Sequence, residues 1–357
     1  MATDLNHVLK IAVEKNASDI HFTVGRPPIL RTRGELMSID ADPLSPDKVK
    51  NICYSIMNSD QKNIFENEGQ VDFSWSLPQF NRYRVNVFRQ KNFCAAALRM
   101  ISNKIPTFEE IGLPEIFEQL ALKPRGLVLV TGPTGSGKST TLAAMIGHIN
   151  NKKRCHILTI EEPIEYMHDH NMSMVNQREV GGDTKNFATA LRSALREDPD
   201  VILVGEMRDF ETMSTAISAA ETGHFVMSTL HTTTAAQTVD RIIDAFPSSQ
   251  QQQIRGQLAS ILEGIICQQL IRTTDKQKLV PAFEILLVND AVRNLIREGK
   301  VPQIVTVLQT NIKNGMVPMD YSLAQLVKKR QITREDAYAR CVDAEIFESY
   351  LNGNAGY

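Results

Sequence analysis

The stretch Gly132-Pro133-Thr134-Gly135-Ser136-Gly137-Lys138-Ser139-Thr140 decides how the middle of this chain folds. It follows an apolar run from Leu127 to Val130 and leads into a helical pattern that reaches Met145. In a G-x-x-x-x-G-K-[ST] loop, backbone N–H groups and the helix N-terminus converge on one anion. The pattern predicts that Lys138 meets the β- and γ-phosphates of a nucleoside triphosphate and that Ser139 meets Mg²⁺. The alternative is a glycine-rich turn without a ligand.

Size and charge restrict the remaining possibilities. The chain has 357 residues and is 42% hydrophobic, which is enough for two domains. Its 39 basic and 41 acidic residues give a net charge of −2, so no overall attraction to nucleic acid or an anionic membrane is expected. Five cysteines without a C-x-x-C pair, no secretory signal and no apolar run of about 18 residues predict a soluble cytoplasmic protein.

Apolar runs alternate with helical patterns after the loop's strand. The candidate strands are Leu127 to Val130, His156 to Ile160, Val201 to Val204 and Phe225 to Leu230. Such runs predict an α/β fold in which a parallel sheet is covered by helices on both faces. Further along, the spacing of apolar residues from Ile254 to Ile266 predicts one long helix.

The N-terminal third predicts a separate, smaller α+β domain. Alternation from Arg82 to Arg89 indicates a half-buried strand with a basic outer face. Breakers after Ile101 indicate a linker, so we expect an N-terminal domain over 1–101, a linker over 102–114 and an ATPase domain over 115–357. The C-terminal region from about 289 is expected to be helical, and Thr333 is expected to cap its last helix.

Carboxylates follow two of the predicted strands. Hydrolysis requires a carboxylate that orients water or holds Mg²⁺, and in parallel sheets such groups lie where the strands end. Glu206, directly after Val201 to Gly205, is the first choice. The other candidates are Glu161, Glu162 and Glu165, which follow His156 to Ile160; an acidic surface turn is the alternative for them.

Positively charged and histidine side chains supply further candidates. His231 ends the strand from Phe225 to Leu230, where it could sense the terminal phosphate or merely cap a strand end. Arg82 and Arg84 are candidate arginine fingers for a neighbouring subunit, with solvated or salt-bridged arginines as the alternative. Three other candidates could not be ranked: Arg208, Arg241 and Arg272.

Together these motifs resemble the secretion ATPase superfamily, the GspE/PilT family, over essentially the whole chain. The family has a Walker A loop like Gly132 to Thr140, an acidic box like Thr159 to Tyr166, an atypical Walker B like Val201 to Asp209 and a histidine box like Ser228 to Thr232. Within the family, retraction ATPases of type IV pili are favoured. The chain is short, lacks the four-cysteine metal motif of the extension ATPases, and carries a helix pattern at Ala291 to Glu298 that is similar to the retraction signature.

The resemblance implies an α/β fold with a RecA-like P-loop ATPase core and a smaller N-terminal PAS-like α+β domain. It also implies a homohexamer that binds ATP and Mg²⁺ between subunits, at the inner face of the cytoplasmic membrane. The implied catalytic residues are Glu206, Glu162, Glu165 and His231, and the implied Mg²⁺ ligands are Ser139, Glu206 and Glu162. Glu162 stands where the family usually has aspartate.

The implied partners are a PilC-like inner-membrane platform protein and a PilU-like paralogue, with no nucleic acid. The implied activity is ATP hydrolysis coupled to pilus retraction and twitching motility. Two alternatives stay open: an accessory retraction ATPase of the PilU type, and a nucleic-acid translocase.

Overall fold

The computed structural model describes residues 4–32, 34–77, 82–101 and 104–353. Within them the chain forms two compact units. The first runs to Lys104 and includes Glu165–Met167, and the second comprises Ile105–Ile164 and the chain from His168 onward. Residues 105–114 of the expected linker therefore belong to the second unit. Residues 102 and 103 of that linker lie outside the described residues.

In its described part, the first unit has three helices and one antiparallel sheet in the order β3-β2-β1-β6-β5-β4. The helices are α1 (Leu5–Glu14), α2 (Pro46–Ser55) and α3 (Ser59–Glu68). The strands are β1 (Asp19–Phe22), β2 (Ile29–Thr32), β3 (Glu35–Ser38), β4 (Gln70–Ser76), β5 (Arg82–Gln90) and β6 (Phe93–Met100). This is the small α+β unit expected from the sequence. On β5 the alternation is as predicted: Tyr83, Val85 and Val87 are buried, whereas Arg84 is exposed.

The second unit begins with elements that surround the glycine-rich loop. The helices that precede β12 are α4 (Ile116–Ala121), α5 (Lys138–Lys152), α6 (Phe187–Ala194), α7 (Phe210–Glu221), α8 (Ala235–Asp244) and α9 (Ser248–Ile261). Its strands are β7 (Gly126–Thr131), β8 (His156–Glu161), β9 (Met174–Glu179), β10 (Val201–Val204), β11 (Phe225–Leu230), β12 (Leu262–Arg272) and β13 (Leu279–Leu287). After β13 the described chain is helical, with α10 (Asp290–Arg297), α11 (Ile304–Thr310), α12 (Met319–Lys328), α13 (Arg334–Tyr338), α14 (Ala344–Asn352) and 3₁₀ turns at Val301–Gln303 and Ile312–Asn314.

The second sheet has the strand order β13-β12-β7-β11-β10-β8-β9, and within it only the β12–β13 pair of the described strands is antiparallel. All four strands predicted from the apolar runs are present. The registers Leu230 with Thr131 and Val204 with Ser228 bring the carboxyl ends of β7, β11 and β10 to one edge. The glycine-rich loop follows β7 and therefore begins at that edge.

Both faces of this sheet are buried under helices, as the sequence predicts. Leu127 and Leu129 of β7 pack in one core with α6 to α10, whereas Val128 and Val130 pack in another with α4 and α5. A strand buried on both sides has apolar residues at successive positions, because each neighbour faces a different core. Among the described residues, no helix is long and apolar enough to cross a bilayer.

Two predictions about the later part of the chain are wrong. The helix expected from Ile254 to Ile266 ends at Ile261, and Leu262 begins the buried strand β12. A short apolar run inside a core does not distinguish strand from helix by its spacing. Thr333 does cap a helix, with its Oγ1 accepting from Asp336 N at 3.1 Å, but that helix is α13 and α14 follows it.

Candidate active site

The glycine-rich loop joins the buried strand β7 to helix α5 through backbone that favours glycine. Gly132 has φ 138° and Gly137, the residue before α5, has φ 88°. A Cβ on Gly132 would lie 2.2 Å from the carbonyl oxygen of Gln268 on β12, so the loop passes too close to the neighbouring strand for a side chain. The loop is therefore shaped by its glycines and by β12, as a phosphate cradle requires.

Lys138 begins α5 and lies at the mouth of the loop. Its Nζ donates to the carbonyl oxygens of Gly132 at 2.9 Å and Pro133 at 3.1 Å. The following residues, Ser139 and Thr140, are half-buried in the first turn of the helix. A helix N-terminus carries partial positive charge, so this cluster combines an ammonium group, hydroxyls and backbone N–H groups suited to a polyphosphate.

Glu206 lies two residues beyond β10 and holds two basic side chains at once. Its Oε2 is 2.7 Å from Arg208 Nη2, and its Oε1 is 2.9 Å from His231 Nε2. The Glu206 side chain is only 17% exposed, whereas that of Arg208 is 66% exposed. The sequence-based candidates Glu206 and His231 are thus direct neighbours, and Arg208 joins them.

The charge state of Glu206 follows from this arrangement. Burial alone raises the pKa of the carboxyl, but the hydrogen bond and charge of Arg208, together with those of His231, outweigh burial and hold the pKa below its ordinary value. Glu206 is consequently an anion at neutral pH. A carboxylate of this kind orients water or binds a cation well, but it is a weak proton acceptor.

Side chains from β11 fix the backbone that carries Glu206. Ser228 Oγ donates to the carbonyl of Val204 at 2.7 Å, and Thr229 Oγ1 donates to that of Gly205 at 2.6 Å. These two bonds continue the pairing of β10 and β11 past the end of β10. The polar end of the histidine box therefore anchors the turn before Glu206, while His231 contacts its carboxylate.

A cavity of about 280 Å³ opens beside this cluster. Its lining residues are Glu206, Met207, Arg208, Leu230, His231, Thr232 and Arg241. Two of the three unranked arginines of the sequence, Arg208 and Arg241, therefore belong to this site. The third, Arg272, is exposed at the end of β12.

The glutamates of the acidic box do not all lie at the Glu206 cluster. Thr159 Oγ1 donates to Glu161 at 2.6 Å, and Glu162 Oε2 lies 4.0 Å from Arg208 Nη1, at the edge of the Glu206 cluster. Glu165 belongs to the first compact unit, as do Arg82 and Arg84. The roles of Glu162, Glu165, Arg82 and Arg84 in catalysis stay predictions.

No sequence motif points to two residues, Gln268 and Thr141, that contact each other beside the loop. Gln268 on β12 is 4% exposed, and its Oε1 accepts from Thr141 Oγ1 of α5 at 2.7 Å. Gln268 follows an apolar run without any motif, and its place beside the loop depends on β12 pairing with β7 in parallel. Only knowledge of that pairing could have identified it.

Comparison with known proteins agrees with this geometry. The family model described as type II/IV secretion system protein matches residues 1–298. The chain belongs to that family. The resemblance to the GspE/PilT family expected from the four boxes is thereby confirmed, and so is the α/β P-loop fold with a parallel sheet.

Comparison with individual proteins shows similarity to ATPases of type IV pili. The chain is 48% identical to the type IV pilus retraction ATPase PilT of Pseudomonas aeruginosa over 96% of this chain and 100% of that one. It is 41% identical to the type IV pilus ATPase PilU of the same organism, over 96% and 89%. A crystal structure of the pilus retraction motor PilT with bound ADP matches with a TM-score of 0.90 and 48% identity, covering 97% of this chain and 99% of that one.

Proposed function

We propose that this family member is an ATPase motor that couples ATP hydrolysis to type IV pilus retraction. One observation carries the proposal: the glycine-rich loop and the Glu206–His231 pair lie at one sheet edge, in a chain that matches PilT along its whole length. Hydrolysis of ATP by water gives ADP and phosphate. The energy released would drive removal of pilin subunits from the pilus base and thus twitching motility.

The strand order gives the site a suitable width. β11 lies between β7, which leads into the phosphate loop, and β10, which leads into Glu206. Neighbouring strands are about 4.8 Å apart, so the ends of β7 and β10 are separated by roughly 10 Å. That span accommodates the terminal phosphate and an attacking water, with His231 at the end of the intervening strand.

The chain's own residues fit a nucleotide with Mg²⁺. Sites of this kind use one or two protein oxygens and complete the coordination with phosphate oxygens and water. Ser139 and Glu206 would supply those oxygens, with Glu162 as a further candidate. Bound Mg²⁺ would neutralise charge on the β- and γ-phosphate oxygens. Lys138 would exchange the carbonyls of Gly132 and Pro133 for phosphate.

The Glu206 carboxylate would orient the attacking water. Its lowered pKa keeps it ionised, and phosphoryl transfer needs positioning more than strong proton abstraction. Each carboxylate oxygen has a second lone pair, so a water can hydrogen-bond to Glu206 beside Arg208 and His231. When ATP binds, His231 would exchange the Glu206 carboxylate for the terminal phosphate, as its predicted role as a sensor requires.

Exchange of Glu206 for glutamine tests this assignment. Glu206→Gln should lower kcat for ATP hydrolysis about 100- to 1,000-fold while ADP affinity changes little. A matched control is Glu211→Gln, which also breaks a Glu–Arg pair, with Arg192 at 2.6 Å, on the surface of the same unit. Normal hydrolysis by Glu206→Gln would refute the assignment.

The assembly and its partners are also part of the proposal. By similarity the motor would be a homohexamer at the cytoplasmic face of the inner membrane, working on a PilC-like platform protein and alongside a PilU-like paralogue. Arg82 or Arg84 of one subunit would reach the nucleotide of its neighbour. Mixing an Arg84→Ala protein with a Glu206→Gln protein tests this: each inactive variant supplies what the other lacks, so mixed rings should regain hydrolysis.

Deletion of the gene distinguishes the cellular roles. Excess surface pili with lost twitching would support retraction, whereas absent pili would indicate an extension motor. An accessory PilU-type role predicts weak hydrolysis by the isolated protein; the higher identity to PilT favours a main motor. Stimulation of hydrolysis by DNA, with salt-dependent DNA binding, would instead indicate a translocase.

A further inference from the structure

Gln268 lies beside the glycine-rich loop and approaches it closely at two separate points. The Gln268 carbonyl oxygen lies 2.2 Å from where a Gly132 Cβ would be, and its Nε2 lies 2.8 Å from where a Gly137 Cβ would be. Gly132 and Gly137 bound the turn that holds the phosphates. One buried residue of β12 therefore limits the position of both ends of the loop.

The orientation of the Gln268 amide is fixed by a hydrogen bond from helix α5. Thr141 Oγ1, one turn into α5, donates to Gln268 Oε1 at 2.7 Å in a buried contact. Because Oε1 accepts from Thr141, the Nε2 amino group is turned toward Gly137. The amide thus directs the positive end of its dipole toward the loop that binds anionic phosphates.

We propose that Gln268 is a positioning residue that sets the affinity of the phosphate loop for nucleotide, with Thr141 holding its amide in the required orientation. The inference rests on the proposed ATPase function. The Gln268 side chain acts by fixing Gly137 and by its dipole, while the backbone carbonyl beside Gly132 is kept in every variant. Losing the amide would leave the fold of the sheet intact but would let the loop relax away from the phosphates.

The neighbouring residue offers a matched control. Gln269 has the same side chain one position along β12, so it points to the opposite face of the sheet and is half-buried. The experiment measures ADP affinity by calorimetry and ATP hydrolysis with the full-length Gln268→Met, Gln269→Met and Thr141→Val proteins. Melting temperatures without nucleotide are recorded for each.

Gln268→Met should raise the Kd for ADP and the KM for ATP about tenfold, with kcat within about threefold, and Thr141→Val should act in the same direction by about threefold. Because both act through one amide, the double variant should bind ADP no worse than Gln268→Met. Gln269→Met should stay within twofold of the unaltered chain.

Equal ADP affinity of Gln268→Met and Gln269→Met would overturn the inference while leaving the ATPase proposal standing. A lower melting temperature with unchanged affinity would show that Gln268 is only structural, and would overturn it too. If Gln268→Met does not fold, unchanged ADP affinity of Thr141→Val overturns the inference. An unaltered chain that binds no ADP would refute the proposed function itself.

Discussion

Glu284, in the middle of β13, should make this protein less stable as the pH rises toward 8. The residue is 6% exposed, and its Oε1 accepts from Ala235 N, at the start of α8, at 2.7 Å. Burial raises the Glu284 pKa to about 7, against the lowering effect of the Ala235 hydrogen bond and with a smaller contribution from the Asp320 charge. Cys267 Sγ is 3.9 Å away and adds only a weak hydrogen bond.

The sign and size of the effect follow from linkage. In the folded chain Glu284 keeps its proton up to pH about 7, whereas in the unfolded chain it loses it near the ordinary value of 4.5. The stabilisation from the retained proton is full below pH 4.5 and is lost as the pH rises through 7. One pKa unit corresponds to about 1.4 kcal/mol, so stability should fall by about 2 to 3 kcal/mol between pH 5 and 8.

Glu284→Gln removes this titration and keeps an oxygen for Ala235. The melting temperature of the variant relative to the unaltered chain should therefore increase between pH 5 and 8, by roughly 5 to 10 °C for a unit of this size. The matched control is Glu335→Gln, on the exposed part of α13, which should follow the unaltered chain at every pH. A difference between Glu284→Gln and the unaltered chain that does not change with pH would refute the reasoning.

Two further predictions concern the loop and two glycines. Lys138→Ala should abolish measurable ATP hydrolysis and weaken ADP binding at least tenfold, since the ammonium group is lost from the phosphate site; retained binding in calorimetry would contradict this. Gly256→Ala, inside α9 with open space around the added methyl group, should stabilise the protein by about 0.5 to 1 kcal/mol in denaturant unfolding. Gly264→Ala should instead destabilise it, because the methyl group would lie 2.9 Å from Leu120 Cδ2 and 3.3 Å from the carbonyl oxygen of Leu286, a backbone atom that a rotamer change cannot move; the same sign for both variants would contradict the packing.

Much of the fold was predictable because local signals and burial agree. The strands that lead into Gly132, Glu206 and His231 are mainly apolar and fully buried, and turn residues or charges end each of them. β12 was missed because its first residues continue the apolar spacing of α9 without a break. The pairing of β12 with β7 is a long-range contact, and no local pattern specifies it.

For the site, the sequence predicts which side chains follow the ends of strands, but not which of these ends are neighbours. The sequence indicates that Glu206 and His231 follow parallel strands, but the order β7-β11-β10-β8 is a property of the whole sheet. That order makes Glu206 and His231 neighbours. It also places Arg208 and Arg241 at the site, whereas the sequence could not rank them against Arg272.

The contacts that lower the Glu206 pKa also predict an order of events for the proposed hydrolysis. Each carboxylate oxygen has a second lone pair, so Glu206 can accept from a water while it holds Arg208 and His231, but these two partners keep its pKa low and make it a weak proton acceptor. In the proposed ATPase, a terminal phosphate that draws His231 away would remove one of the influences that lower the Glu206 pKa, and Glu206 would become a better proton acceptor with substrate in place. Once phosphate leaves, His231 would return to Glu206. Because His231 follows β11, which lies between β7 and β10, this change of contact would take place beside both the glycine-rich loop and Glu206.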